Sequence, residues 1–392
     1  MKSVYIVAAK RTPIGSFMGS LASVPAVELC AIALKATLEQ AGLAPDTIEE
    51  VYFGNVLSAN LGQAPATQVA LKAGLPPTVP ATLINKVCAS GLKAIMIGAQ
   101  TIALGHADLI AAGGMENMSQ TPFYLPHLRS GNRYGHAQAV DGILRDGLED
   151  AYCSLTMGNI TEKCASTYGL SREMQDEYAI LSYKRAQSAQ EKKLFQREIV
   201  PVPISSRSGT QLISQDEEPS KANFEKIPTL KPAFKPDGTI TAANASKIND
   251  GAAAVILASE EAIRRYNLRP LARIISWADS AKEPEWFTIA PTDAIQKALH
   301  RASMEIRQID AFEINEAFSA VALANQKLLN IPIEKLNVLG GAVALGHPLG
   351  ASGARITVTL LTALEFMGGK YGAIGICNGG GGASALVLER LG

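Results

Sequence analysis

The chain has 392 residues, 47% of them hydrophobic, which is enough for two or three domains with buried cores. Its 36 Lys and Arg balance 36 Asp and Glu, so no net positive field exists to hold nucleic acid or an anionic membrane, and neither is expected as a partner. Five cysteines (Cys30, Cys88, Cys153, Cys164 and Cys377), odd in number and without a C-x-x-C pair, argue against a disulfide framework or a structural zinc site.

The apolar run Val4 to Ala9 is too short for a signal segment or a spanning helix and reads as the first buried strand of a cytosolic protein. Cys30 follows in "VELCAIALKATL", on the apolar face of a predicted helix, as a small core residue. From Leu34 to Asn55 the chain reads helix, turn, short strand. The stretch "LINKVCASGLKAIM" then places Cys88 at a tight join before a helix, where the macrodipole and free N–H groups favour a thiolate. A strand, "ADLIAAGG", closes this first unit.

The segment 119–249 differs in composition and is read as an insertion. It carries one strong helix from Ser171, with Met174, Tyr178 and Leu181 predicted on one face, followed by a polar, Pro- and Lys-bearing stretch of the kind that covers ligands. Cys153 and Cys164 lie in this segment and are read as core residues. His106, His127, His136 and His300 sit in polar surroundings and are read as surface.

The pattern then returns. "IQKALHRASMEIRQIDAFEINE" (Ile295 to Glu316) lies over Leu34 to Asn55, and "ASG" at 351–353 over "ASG" at 89–91, at offsets of about 261 to 262 positions. The chain is therefore two similar α/β halves, expected to carry mostly parallel buried strands. Asn315 ends the strand of the second repeat, where simple turn chemistry and donation to a reacting oxygen are both open. His347, in "NVLGGAVALGHPLGASGA", occupies nearly the place in the second half that Cys88 holds in the first, and a pseudo-twofold would bring both joins to strand ends. A Cys with a nearby His is the minimum for an activated nucleophile. Cys377 stands between "AIGI" and four glycines, whose backbone allows close approach to a ligand. Only a last strand, "ASALVLERLG", follows them, so no phosphate-binding helix fits and a dinucleotide fold is excluded.

Taken together, "NKVCASGLKAIM", "AAGGMENMSQTPFY", "NASKINDGAAA", "NEAF", "GGAVALGHPLGASGAR" and "CNGGGG" resemble the thiolases, and among them the branch that transfers acetyl groups between acetyl-CoA molecules. The resemblance spans the whole chain. It implies a duplicated, five-layered α-β-α-β-α fold divided into an N-terminal half (1–118 with 250–270), an inserted coenzyme A-binding loop domain (119–249) and a C-terminal half (271–392). It implies reversible Claisen condensation of two acetyl-CoA to acetoacetyl-CoA and CoA, by a ping-pong route through acetyl-Cys88. In that scheme His347 is the base that activates Cys88, Cys377 the second acid/base thiol, and Asn315 the holder of a water that stabilises the enolate oxygen. The backbone N–H groups of Cys88 and Gly379 form the oxyanion hole. Coenzyme A is expected along Leu148, Met157, Lys221, Phe234, Ala242, Ser246, Ala317 and Phe318. Acyl-CoA substrates, a homotetramer, a cytoplasmic location and no metal or resident cofactor complete the expectation. A degradative 3-ketoacyl-CoA thiolase of broader chain length is the alternative within the fold, and a non-catalytic acyl-CoA or lipid binder the alternative outside enzymology. The second would lack one of Cys88, Asn315, His347 or Cys377, and all four are present.

Overall fold

A computed structural model describes residues 2–206 and 209–392. The first half supplies β1 (Val4–Arg11), α1 (Ala26–Ala41), β2 (Glu50–Gly54), β3 (Ala81–Ile84), α2 (Ser90–Ala103) and β4 (Leu109–Asn117). Segment 119–249 follows, with α3 (Met157–Thr167) and α4 (Arg172–Glu191), and β5 (Asn249–Ser259) returns to the sheet. The second half runs through β6 (Ala272–Ala281), α5 (Ala290–Arg301), β7 (Ala311–Ile314), α6 (Ala342–Leu345), α7 (Leu349–Met367), β8 (Tyr371–Asn378) and β9 (Gly382–Arg390).

The two halves repeat one topology. In the first, the strands lie in the order β3-β2-β4-β5-β1, and in the second β7-β8-β9-β6, with Leu336 bridging Phe312 in parallel where β3 would stand. The halves join through a short antiparallel contact between β1 and β6, Val4 to Ile6 against Ile274 to Ala272. Parallel pairing is confined to β2–β3, β2–β4 and β7–β8, while every other ladder in this sheet is antiparallel. The expectation of mostly parallel strands is thus corrected. The cause lies in β5 and β9, each inserted against the direction of both its neighbours. For β9 the reversal is a tight hairpin from β8, which Gly380 and Gly381 allow at φ +82° and +85°.

The outer layers are α1 on the first half and α5 on the second, and the central layer is α2 packed on α7. These helices bury small and aliphatic faces (Ala33, Leu34, Leu92, Ile95, Ile356 and Leu360 are all fully buried), so the apolar spacing seen in the sequence becomes three stacked cores. The repeated "ASG" explains how two helices fit between two sheets. A Cβ on Gly91 would lie 2.7 Å from the Gly350 carbonyl, and one on Gly353 2.3 Å from the Leu92 nitrogen, so neither position has room for a side chain. Gly91→Ala is expected to lower stability by about 1–3 kcal/mol through overpacking against backbone, read as an earlier midpoint in chemical denaturation. A midpoint equal to that of the parent protein would refute the close-packing argument.

Helix α4 starts after Ser171, where the sequence places its beginning, and Ser171 Oγ caps it by accepting from the Met174 N–H. Its buried face is different: Tyr178 is buried, but Met174 is exposed and Leu181 half-buried, because the helix packs through Gln175, Ala179, Ser182, Tyr183 and Ala186. Cys30 and Cys164 are buried; Cys153 is exposed, in a turn held by Asp150, and is not a core residue. His106, His127, His136 and His300 are exposed, as expected.

Candidate active site

Cys88 sits on a strained turn. Val87, a β-branched residue, has φ +47°, a conformation that costs on the order of 1–3 kcal/mol and persists only where its surroundings enforce it. Here they do. The Asn85 side chain accepts from the Val87 N–H (3.0 Å), and Ser90 Oγ accepts from the Lys86 N–H (2.8 Å) while donating to the Val87 carbonyl (2.6 Å). Helix α2 begins directly after this buckle, and Cys88 is left half-buried at its N-terminal end. The backbone N–H groups of Gly379 and of Cys88 itself act on its sulfur and lower the thiol pKa. Burial outweighs them, and the Glu116 carboxylate opposes them, so the thiol is pushed up to about 12. The thiolate expected from the helix terminus is therefore not the resting form.

The second half uses its repeated serine in the same way. Ser352 Oγ donates to the Pro348 carbonyl (2.9 Å) and lies 2.5 Å from His347 Nδ1. A carbonyl can only accept, so the hydroxyl proton belongs to Pro348 and its lone pair receives Nδ1–H. This fixes the tautomer and leaves Nε2 as the free lone pair, buried and without a protein partner. Burial and the Arg355 charge pull the imidazole down to about 3, so it is neutral and able to accept a proton. The backbone around it is tied by the His347 N–H to Asn249 Oδ1 (3.0 Å), and Gly346 turns at φ +107°, where a Cβ would strike that amide. Ser352→Ala should lower kcat by roughly 10- to 100-fold with KM little changed, because the ring loses the acceptor that sets its tautomer. Steady-state kinetics on the folded variant read this directly; an unchanged kcat would remove Ser352 from the site.

Cys377 is the last but one residue of β8, paired with Ala383 across the glycine hairpin, and is buried. Burial and the neighbouring Cys88 sulfur push its thiol well above the usual range. Asn315 follows β7, its N–H on the Gly375 carbonyl (2.9 Å), and both atoms of its buried amide lack a partner in the protein.

Cys88, His347, Cys377 and Gly379 line one cavity of about 390 Å³, within the range of small-molecule sites. Leu148, Met157, Phe234, Ala242, Ser246, Ala317 and Phe318 line the same cavity. The wall is apolar and internally pinned: Phe234 meets Phe318 edge to face at 6.0 Å, Asn159 donates to the Phe234 carbonyl at 2.7 Å, and the Ser246 N–H bonds the Ala317 carbonyl at 3.0 Å. Two of the expected residues stand off this wall. Asn315 is not among the lining residues, and Lys221 points its ammonium to Ser16 and Glu218 instead.

Sequence reasoning missed several residues. Val87 strain and the Ser352 contact arise only in three dimensions, although the repeated "ASG" was a usable signal for Ser352. Glu116 accepts from Asn55 Nδ2 (2.6 Å) and from the N–H groups of Val56, Leu57 and Gly350 (3.1, 3.1 and 2.8 Å), linking the loop after β2 to the start of α7. Burial pushes it up to about 7. Met118, Ile248, Phe287 and Leu349 also line the cavity, as does Lys247.

Comparison with known proteins covers almost the whole chain. The N-terminal domain of thiolase matches residues 4–261 and the C-terminal domain of thiolase residues 268–390. The chain is 56% identical to the cytosolic acetyl-CoA acetyltransferase ERG10 of Gibberella zeae, over 99% of this chain and 98% of that protein. It is 52% identical to the acetyl-CoA acetyltransferase of Schizosaccharomyces pombe, over 99% of each. The crystal structure of the Acat5 thiolase from Ascaris suum in complex with coenzyme A superposes with a TM-score of 0.95 at 45% identity, covering both chains completely. With two cysteines and a tautomer-fixed histidine on one cavity, and matches that run nearly end to end, the chain belongs to the thiolase family and is an acyltransferase.

Proposed function

We propose that this acyltransferase is an acetyl-CoA C-acetyltransferase, condensing two acetyl-CoA to acetoacetyl-CoA and CoA, reversibly, through an acetyl-Cys88 intermediate. The observation that carries the reading is the convergence on one cavity of Cys88, the free Nε2 side of His347, Cys377 and two N–H groups acting on the Cys88 sulfur. With the thiol near 12 and the imidazole near 3, the resting pair is neutral, and proton transfer to Nε2 accompanies attack on the thioester carbon. The N–H groups of Cys88 and Gly379 then receive the tetrahedral oxyanion. The leaving coenzyme A thiolate takes the Cys377 proton, and CoA departs.

A second acetyl-CoA enters. Cys377, now a thiolate, removes its α-proton; a sulfur whose pKa lies well above the usual thiol range is a strong base once ionised. The enolate oxygen is stabilised by His347 and by a water on Asn315, whose two unpartnered amide atoms suit that role. The enolate carbon attacks acetyl-Cys88, the C–S bond breaks, and the imidazolium of His347 returns its proton to Cys88. Every proton is thereby restored without a metal or resident cofactor.

The apolar wall from Leu148 to Phe318 suits the pantetheine chain. In this reading 119–249 is the loop domain that covers coenzyme A between the halves 1–118 with 250–270 and 271–392, and Lys221 serves the phosphate end. A homotetramer is proposed from the family resemblance and a cytosolic location by analogy with the relative named cytosolic; no helix among the described residues is long and apolar enough to cross a membrane. Steady-state assays in both directions across acyl chain lengths test the function. Ping-pong kinetics with a preference for acetoacetyl-CoA are expected, and efficient thiolysis of chains of roughly eight carbons or more would overturn the short-chain assignment.

A further inference from the structure

Lys247, in "NASKINDG", takes no part in the chemistry above, yet it lines the cavity. Its Nζ donates to the carbonyls of Ala245 and Val343, each at 3.0 Å, with the Ala243 carbonyl at 3.5 Å, and stands 5.0 Å above the centre of the Tyr183 ring. Three carbonyl oxygens and an aromatic face thus surround one ammonium.

The Val343 carbonyl shows why the arrangement matters. It lies in the four-residue helix α6, and its helical donor would be the N–H of His347. That N–H goes instead to Asn249, because Gly346 turns the chain out of the helix. Lys247 supplies the missing donor. One stretch, Lys247 to Asn249, therefore holds the His347 turn from both sides, by the carbonyl four residues before the histidine and by the histidine's own N–H. Through Ala243 and Ala245 the same ammonium fixes the segment that carries Ala242 and Ser246 to the wall.

We infer that Lys247 is a positioning residue whose ammonium acts as a built-in cation, clamping the coenzyme A wall at Ala243–Ser246 to the loop that aims His347. The inference rests on the proposed function for its kinetic consequences. Burial draws the ammonium down to about 8, opposed by Glu218 and Glu316, so it remains charged at neutral pH.

Lys247→Met fills the same space without charge, and Lys247→Ala opens a hole ringed by the carbonyls. For both, kcat/KM in acetoacetyl-CoA thiolysis should fall by about 100-fold, with KM rising and kcat falling, as expected when a reacting group and a binding wall shift together. Adding ammonium chloride against sodium chloride of equal ionic strength should return about tenfold of that loss in Lys247→Ala, saturably, and nothing in Lys247→Met or the parent protein. Coenzyme A binding by calorimetry should follow the same pattern. A Lys247→Met enzyme within about twofold of the parent, or a Lys247→Ala protein unmoved by ammonium in both assays, overturns the inference. If Lys247→Ala does not fold, Lys247→Met decides by its kcat and KM. A parent protein without thiolysis removes the proposed function instead, and the calorimetric arm still judges Lys247.

Discussion

Cys88→Ala protein incubated with radiolabelled acetyl-CoA should carry no acid-stable label, and its condensation and thiolysis rates should fall by about four orders of magnitude or more. The Cys88 sulfur lines the cavity together with His347 and has two backbone N–H groups acting on it. Removing it leaves the cavity wall intact, so coenzyme A should still bind. The same labelling assay on the unaltered protein carries a pH signature. Its acetylation rate should not rise between about pH 7.5 and 10, and should decline above about 8 as Lys247 loses the charge that holds the His347 loop. His347 gains a proton only near 3, so acid inactivation by that route lies far below the window; the thiol loses its own only near 12, so alkaline activation lies above it. Glu116, pushed up to about 7 by burial, is mostly ionised over this range. A rate rising about tenfold per pH unit across this range would mean that a free thiolate, not a base-assisted thiol, does the attacking.

How much of this was legible before the structure depends on the kind of feature. The duplication was readable because each half must bury the same helix and strand faces, and that constraint is local: apolar spacing in Leu34 to Asn55 recurs in Ile295 to Glu316. The place of Cys88, His347 and Cys377 was readable because glycine-rich joins before helices and hairpins are local too. The ionisation of those groups was not. A helix terminus beside Cys88 argued for a thiolate, but burial by residues far away in sequence, among them Met118, Ile143 and Leu349, outweighs it. Strand direction failed for the same reason, since nothing in the composition of β5 or β9 distinguishes an antiparallel insertion from a parallel neighbour. The clamp at Lys247 joins residues about 100 positions apart through backbone carbonyls, which have no sequence signature.

Cys377→Ala separates the two halves of the reaction. Its acetylation at Cys88 should persist, since the imidazolium formed by the attack can supply the proton that the leaving coenzyme A thiolate requires. Condensation should fall by about 10²- to 10⁴-fold, the usual contribution of a positioned acid/base group. The label would therefore accumulate on Cys88 and leave only by slow hydrolysis or by return to added coenzyme A. The physical ground is that the α-proton of a thioester needs a strong base at close range. Cys377 meets both conditions: it lies on the hairpin whose Gly380 and Gly381 keep side chains away, and its burial beside Cys88 makes its thiolate unusually basic. Cys377→Ser tests basicity apart from shape, since a buried hydroxyl occupies the same place but ionises far less readily, and it should be as poor at condensation as Cys377→Ala. If either variant condensed acetyl-CoA at the parent rate, the α-proton would be leaving by another route. His347 would then be the first group to examine, as the other acid/base side chain on the cavity with a free position toward the substrate.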